Sequence, residues 1–198
     1  MSLRIEKKVT VNARVERVWE FLTDLPRVAR CLPGAEVTRQ IDERSYGATI
    51  TIKVGLVSAR YKGQVRFEKL NQEEHEVELV GRGQDVQGKG GAEMRMVSRL
   101  RPLEFGETEV IVISDVSLSG RLAQFGRGMI QDISEQVFQQ FTAAMRHQLE
   151  GRASHRPSAA EGPAAEALNV GSLGIRAMGR SVGRFVSRIF GNSGGSAP

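Results

Sequence analysis

Hydrophobic positions between residues 35 and 118 fall on every second residue. Tyr46, Ala48, Ile50, Ile52 and Val54 alternate with Gly47, Thr49, Thr51 and Lys53. Ala59, Tyr61, Gly63, Val65 and Phe67 alternate with Arg60, Lys62, Gln64, Arg66 and Glu68. Val77 and Leu79 lie between Glu76, Glu78 and Val80, and Ala92, Met94, Met96 and Leu100 alternate with Glu93, Arg95 and Arg99. Successive side chains of a strand point to opposite faces, so this period predicts an antiparallel sheet with one wet face and one covered face. The stretch ETEVIVISDVSL at 107–118 is more continuously apolar. Asn71-Gln72, the Gly81–Gly91 region and Phe105-Gly106 are the expected turns.

Elsewhere the period changes to that of a helix. Val15, Val18, Trp19 and Leu22 recur at helical spacing behind Asn12, a candidate N-cap. Asp24-Leu-Pro26 opens a second short helix that stops near Cys31-Leu-Pro33-Gly34. From 121 to 149, Leu122, Phe125, Met129, Ile133, Val137, Phe141 and Ala144 or Met145 recur every three or four residues, with Gln131, Asp132, Glu135, Gln139 and Arg146 on other faces. At about 1.5 Å per residue that helix is roughly 40 Å long. With a first strand in LRIEKKVTVN, the pattern predicts an α+β domain over 1–150. Its curved antiparallel sheet carries two short helices after the first strand, and one long helix lies across the dry face.

The remainder has another composition. Residues 151–169, GRASHRPSAAEGPAAEALN, read as a flexible linker with an average span of roughly 25 Å. Residues 170–191 contain Arg176, Arg180, Arg184 and Arg188 on one helical arc, with Ile175, Met178, Val182, Phe185, Val186 and Ile189 opposite and Phe190 at the end. Residues 192–198 read as a disordered end. Through residue 150 there are 22 Lys and Arg against 21 Asp and Glu; the tail has six Arg against Glu161 and Glu166. Positive charge is thus concentrated where the amphipathic pattern is, which favours reversible binding to an anionic membrane surface. Docking on a protein groove is the competing reading. The phenylalanine and isoleucine face argues against nucleic acid.

Catalytic and metal chemistry find little support. His75, His147 and His155 lack a Cys or His neighbour at metal-ligand spacing and are expected to be exposed. Cys31 has no evident base beside it and reads as a small buried residue. As the one cysteine it forms no internal disulfide, which suits a reducing compartment. GRGQDVQGKGG at 81–91 is neither a Walker loop nor GxGxxG; it reads as a hairpin whose backbone bends or passes close to something bulky. Asp115 is expected on the outer face or in a structural role. The N-terminus has no apolar run of signal-peptide length, and the longest apolar run, VIVI at 110–113, is far below the ~20 residues of a spanning helix.

The first strand, the helical stretch VERVWEFLTDLPRVARCLPGAE, the meander and SGRLAQFGRGMIQDISEQVFQQFTAAM together resemble the G-subunit family of carbon monoxide dehydrogenase. That family belongs to the START-like, Bet v 1-like (SRPBCC) helix-grip superfamily. Cys31-Leu-Pro-Gly-Ala35 and Leu122-Ala-Gln-Phe-Gly-Arg-Gly-Met129 carry the likeness most specifically. The resemblance implies a deep cavity for lipophilic molecules between the long helix and the sheet. It also implies association with a molybdenum carbon monoxide dehydrogenase complex, whose cofactors belong to that enzyme.

The expectation is therefore a non-catalytic accessory protein, peripheral on the cytoplasmic side of the cell membrane, that carries a quinone (menaquinone or ubiquinone) to the dehydrogenase. Expected cavity residues are Tyr61, Phe67, Met94, Met96, Phe125, Met129 and Ile133; methionines suit an isoprenoid chain because they repack easily. Plain core is the alternative for each. Two rival functions stand beside the carrier: a recruitment or maturation factor with a filled cavity, and an enzyme acting on a bound hydrophobic ligand.

Overall fold

A computed structural model describes residues 1–54, 57–151 and 168–169. Strand β1 (Ser2–Val11) leads to helices α1 (Val15–Leu22) and α2 (Leu25–Ala29). The meander follows: β2 (Ala35–Gln40), β3 (Ser45–Val54), β4 (Val57–Asn71), β5 (Glu76–Asp85), β6 (Gly91–Pro102) and β7 (Thr108–Leu118). A short 3₁₀ turn, η1 (Glu104–Gly106), joins the last two strands. A second, η2 (Leu122–Phe125), precedes helix α3 (Gly126–Glu150). The strands form one antiparallel path, β1-β7-β6-β5-β4-β3-β2, so the first strand closes the sheet beside the last strand of the meander. Leu168–Asn169 form β8, paired in parallel with Ile52 and Lys53 of β3.

The register carries the period-2 pattern across the sheet. Ile50, Tyr61 and Asp85 share one row and Phe67 and Leu79 another, all pointing inward. At the α1 end the interior is solid: Val11, Val18, Phe21 and Met145 have no exposed surface, and Trp19, Phe67, Val77, Leu100 and Leu149 pack with them. His75 is half-buried rather than exposed, because its ring sits edge-on to Trp19 at 6.1 Å. Cys31 is buried as expected; burial pushes its thiol up, and Gln148 Nε2 lies 3.2 Å from its sulfur.

Three local expectations need correcting. Asn12 does not cap α1; Arg14 holds the N-cap position without a side-chain bond. Thr108 Oγ1 donates to Ala13 O at 2.7 Å and Ala13 N donates to Val11 O at 2.9 Å, which keeps the chain out of the helix until Arg14. The long helix begins at Gly126 rather than 121. Gly126 has φ 78° and ψ 167°, a geometry that glycine adopts freely, and it separates η2 from α3. Finally, Gly81 and Gly83 lie inside β5, and the hairpin turn is confined to 86–90.

Helix α3 is attached along one margin. Lys7 pairs with Glu135, Arg146 donates to Thr10 O at 2.7 Å, and Asn12 N donates to Glu150 Oε1 at 2.9 Å. Near its C-terminus, Arg17 donates to Leu149 O and Arg27 to Gln148. Every one of these bonds goes to β1 or to the chain through α2. Of the sheet strands, β1 is the one whose backbone α3 approaches most closely.

Candidate ligand site beneath the long helix

One-sided attachment leaves a different environment over the middle of the sheet. Tyr46, Val65, Met94, Met96 and Val112 point inward from β3, β4, β6 and β7, and Phe138 and Phe141 face them from α3. All seven pack against the core but remain half-buried. These inward side chains are ones that α3 does not cover fully. These residues are almost wholly apolar: two methionines, two phenylalanines, two valines and a tyrosine. Such lining suits an apolar ligand.

Toward η2 the inward face mixes buried and partly buried residues. Ala59, Tyr61 and Leu122 are buried, with Ile50, Ile52, Ala92, Leu118 and Phe125 around them. On the β1 side, Leu3, Ile130 and Ile133 form a further cluster with Ile5 and Val137. A charged pair lies at this end. Asp85 is 3% exposed, yet it is an acid in the inward row that begins with Val77 and Leu79. Arg121 Nη2 donates to its Oδ2 at 3.0 Å and Gln87 N to its Oδ1 at 3.0 Å. These bonds, led by that of the Gln87 amide, hold the Asp85 carboxyl below the usual carboxylate range. Burial, and then the negative charge of Asp85, push the Tyr61 phenol up.

Backbone contact places Arg121. The β5–β6 hairpin lies against residues 119–121: Ser119 N donates to Gly91 O at 2.9 Å and Arg121 N to Lys89 O at 3.3 Å. A Cβ on Gly120 would sit 1.7 Å from Lys89 O, so only glycine permits this approach. The glycine-rich hairpin thus does pass close to other backbone.

The expected cavity residues fall into distinct neighbourhoods. Met94 and Met96 line the half-open middle. Tyr61 and Phe125 lie together at the η2 end, and Ile133 in the cluster beside β1. Phe67 is in the solid core with Val77 and Leu79. Met129 is 42% exposed; it lies in the first turn of α3, where the buried positions are Ile130 and Ile133. The residues from Ile175 to Phe190 lie outside the described residues. Sequence reasoning did not single out Tyr46, Val65, Val112, Phe138, Phe141, Asp85 or Arg121 for the candidate site. Asp85 was findable, since the inward phase of β5 runs from Val77 to a carboxylate.

The outer face is different in character. Its groove, about 890 Å³, is lined by Arg39, Arg60, Lys62, Arg82 and polar neighbours, and none of the expected cavity residues touches it. Asp115 lies on that face, exposed, 3.8 Å from Arg4. Among the described residues there is no cluster of three metal-ligating side chains and no helix long and apolar enough to cross a membrane.

A seven-stranded antiparallel meander gripping a C-terminal helix over a partly open interior is the START-like, helix-grip class. Similar solved structures share it. A conserved protein from Geobacillus kaustophilus has TM-score 0.67 and 19% identity, covering 77% of this chain and 98% of its own. A START superfamily protein from Mycobacterium smegmatis has TM-score 0.52 and 14% identity, covering 75% and 98%. The Zhui aromatase/cyclase from Streptomyces has TM-score 0.51 and 18% identity, covering 82% and 99%. No curated protein matches the chain. Within this class the particular family is also defined: the profile of the carbon monoxide dehydrogenase G-subunit (CoxG) family matches residues 8–150, and the chain belongs to that family.

Proposed function

We propose that the chain is a non-catalytic carrier that shelters a lipophilic molecule between α3 and the sheet and passes it between the bilayer and a carbon monoxide dehydrogenase. The observation that carries this reading is the row of half-buried, inward apolar side chains around Met94, Met96 and Phe141. A solid core would bury them. Membership of the CoxG family supports the dehydrogenase as partner.

The cargo is a respiratory quinone, menaquinone or ubiquinone. Moving its isoprenoid chain from lipid to water costs about 0.8 kcal/mol per CH₂. An apolar wall replaces the lipid and removes most of that cost. The tail, with Arg176, Arg180, Arg184 and Arg188 opposite Ile175, Met178, Val182, Phe185 and Ile189, holds the domain on the cytoplasmic membrane surface. Each arginine near anionic lipid adds about 1 kcal/mol. Tethering raises the local concentration of carrier beside both lipid and enzyme.

Solvent extraction of the full chain purified from its native host, followed by mass spectrometry, tests the cargo. A stoichiometric prenylated quinone is expected; protein free of any lipophile overturns the carrier in favour of a recruitment factor. Flotation with phosphatidylglycerol vesicles tests the tail. The full chain is expected to float and a chain ending at residue 168 to stay behind; equal flotation overturns the anchor.

A further inference from the structure

We propose that Tyr61 and Arg121 form the polar end of the ligand space and donate hydrogen bonds to a neutral acceptor oxygen, a ring carbonyl, on an otherwise apolar ligand. The proposal rests on the carrier reading and names the chemistry its site recognises.

Two buried donors at the η2 end lack partners among the described residues. Tyr61 is 3% exposed and points inward, and its Oη is enclosed without a hydrogen bond. Arg121 uses Nη2 on Asp85 and Gln87, but its Nε is enclosed and unpaired. A buried polar group left without a partner costs stability, so native interiors seldom keep one idle. Here two idle donors share one neighbourhood. The Arg121 and Asp85 charges both act on the Tyr61 phenol. Around them stand apolar Ala59, Ile50, Ala92, Leu122 and Phe125. An oxygen acceptor would satisfy both donors while the rest of its ring met only carbon.

Charge selects between acceptors. Asp85 already neutralises Arg121 through the 3.0 Å bond. A ligand carboxylate would bring a second negative charge beside the buried Asp85 carboxylate, which disfavours it. A neutral carbonyl meets no such penalty. With its titration pushed up by burial and by Asp85, Tyr61 remains a protonated donor at neutral pH.

Binding of decylubiquinone, decylbenzene and laurate to the full chain provides the test. The wild type is expected to bind decylubiquinone more tightly than decylbenzene and to show no preference for laurate. Tyr61→Phe is expected to lower decylubiquinone affinity about tenfold, one hydrogen bond's share, and to leave decylbenzene unchanged. Its ligand-free melting temperature should not fall, because the hydroxyl has no partner to lose. Arg121→Lys, which keeps a cation for Asp85 but removes the Nε donor, should act in the same direction. Unchanged quinone-to-hydrocarbon ratios in both variants, or tighter binding of laurate, overturn the proposal while leaving the carrier standing. A wild type that binds none of the three overturns both.

Discussion

At the α1 end of the interior, Val11, Val18, Phe21, Met145 and Leu149 have lost all but a trace of their contact with water. Along the same inward face toward the middle, Val65, Met94, Met96 and Phe141 keep part of theirs. The residue types hardly differ; the position of α3 does. Its hydrogen bonds and its closest strand lie on the β1 and α1 side, so the helix seals that end and stands off the rest. One end of this sheet face is packed to hold the fold, and the middle, where the carrier is proposed to hold its ligand, keeps apolar surface that is only half covered.

The comparison breaks first under truncation of the packed end. Phe21→Ala removes a wholly buried ring that sits 6.3 Å from that of Phe141 and beneath the Arg27 guanidinium. About 3–5 kcal/mol of stability should be lost, which for a domain of this size lowers the melting temperature by roughly 10 °C or more. A matched pair of methionines sharpens the contrast. Met145→Ala should cost about 2–5 kcal/mol, and Met96→Ala well under half as much in thermal melts without ligand. Equal losses would place Met96 in solid core and remove the opening.

Acid tests the η2 end. Asp85 titrates below its unfolded value of about 3.9, so its contribution to stability is complete above that pH and is lost as pH falls through the folded value. The melting-temperature gap between wild type and Asp85→Asn should therefore narrow between about pH 5 and pH 2. A constant gap would mean that Asp85 is not held ionised by Gln87 and Arg121. The smallest effect belongs on the outer face: breaking the exposed Arg82–Glu93 pair (2.9 Å) with Glu93→Gln should cost less than about 1 kcal/mol.

Much of the packed end was legible in the chain. Period-2 alternation gave the strands and their inward rows, and the spacing of Val15, Val18 and Trp19 gave α1, because both depend on local geometry alone. Membership of the site was harder to read. Met94 and Phe67 occupy the same phase of their strands, and nothing local distinguishes a residue that lines a space from one that fills a core. That difference arises from where α3 comes to rest, which depends on contacts such as Arg146 to Thr10, 136 residues apart. Met129 illustrates the same limit. Its spacing from Phe125 and Ile133 is helical, yet Phe125 lies before the Gly126 break and the buried positions at the start of α3 are Ile130 and Ile133. The Asp85–Arg121 pair lay in plain view as two charges; only the fold of the hairpin against residues 119–121 makes them partners.

The methionines allow the central claim to be read directly. With methyl groups labelled by ¹³C, the full chain can be titrated with decylubiquinone and followed by NMR. Progressive shifts at Met94 and Met96, with the Met145 signal unmoved, are the predicted result. Saturating ligand that leaves Met94 and Met96 unchanged would contradict the account, as would a response confined to exposed Met129.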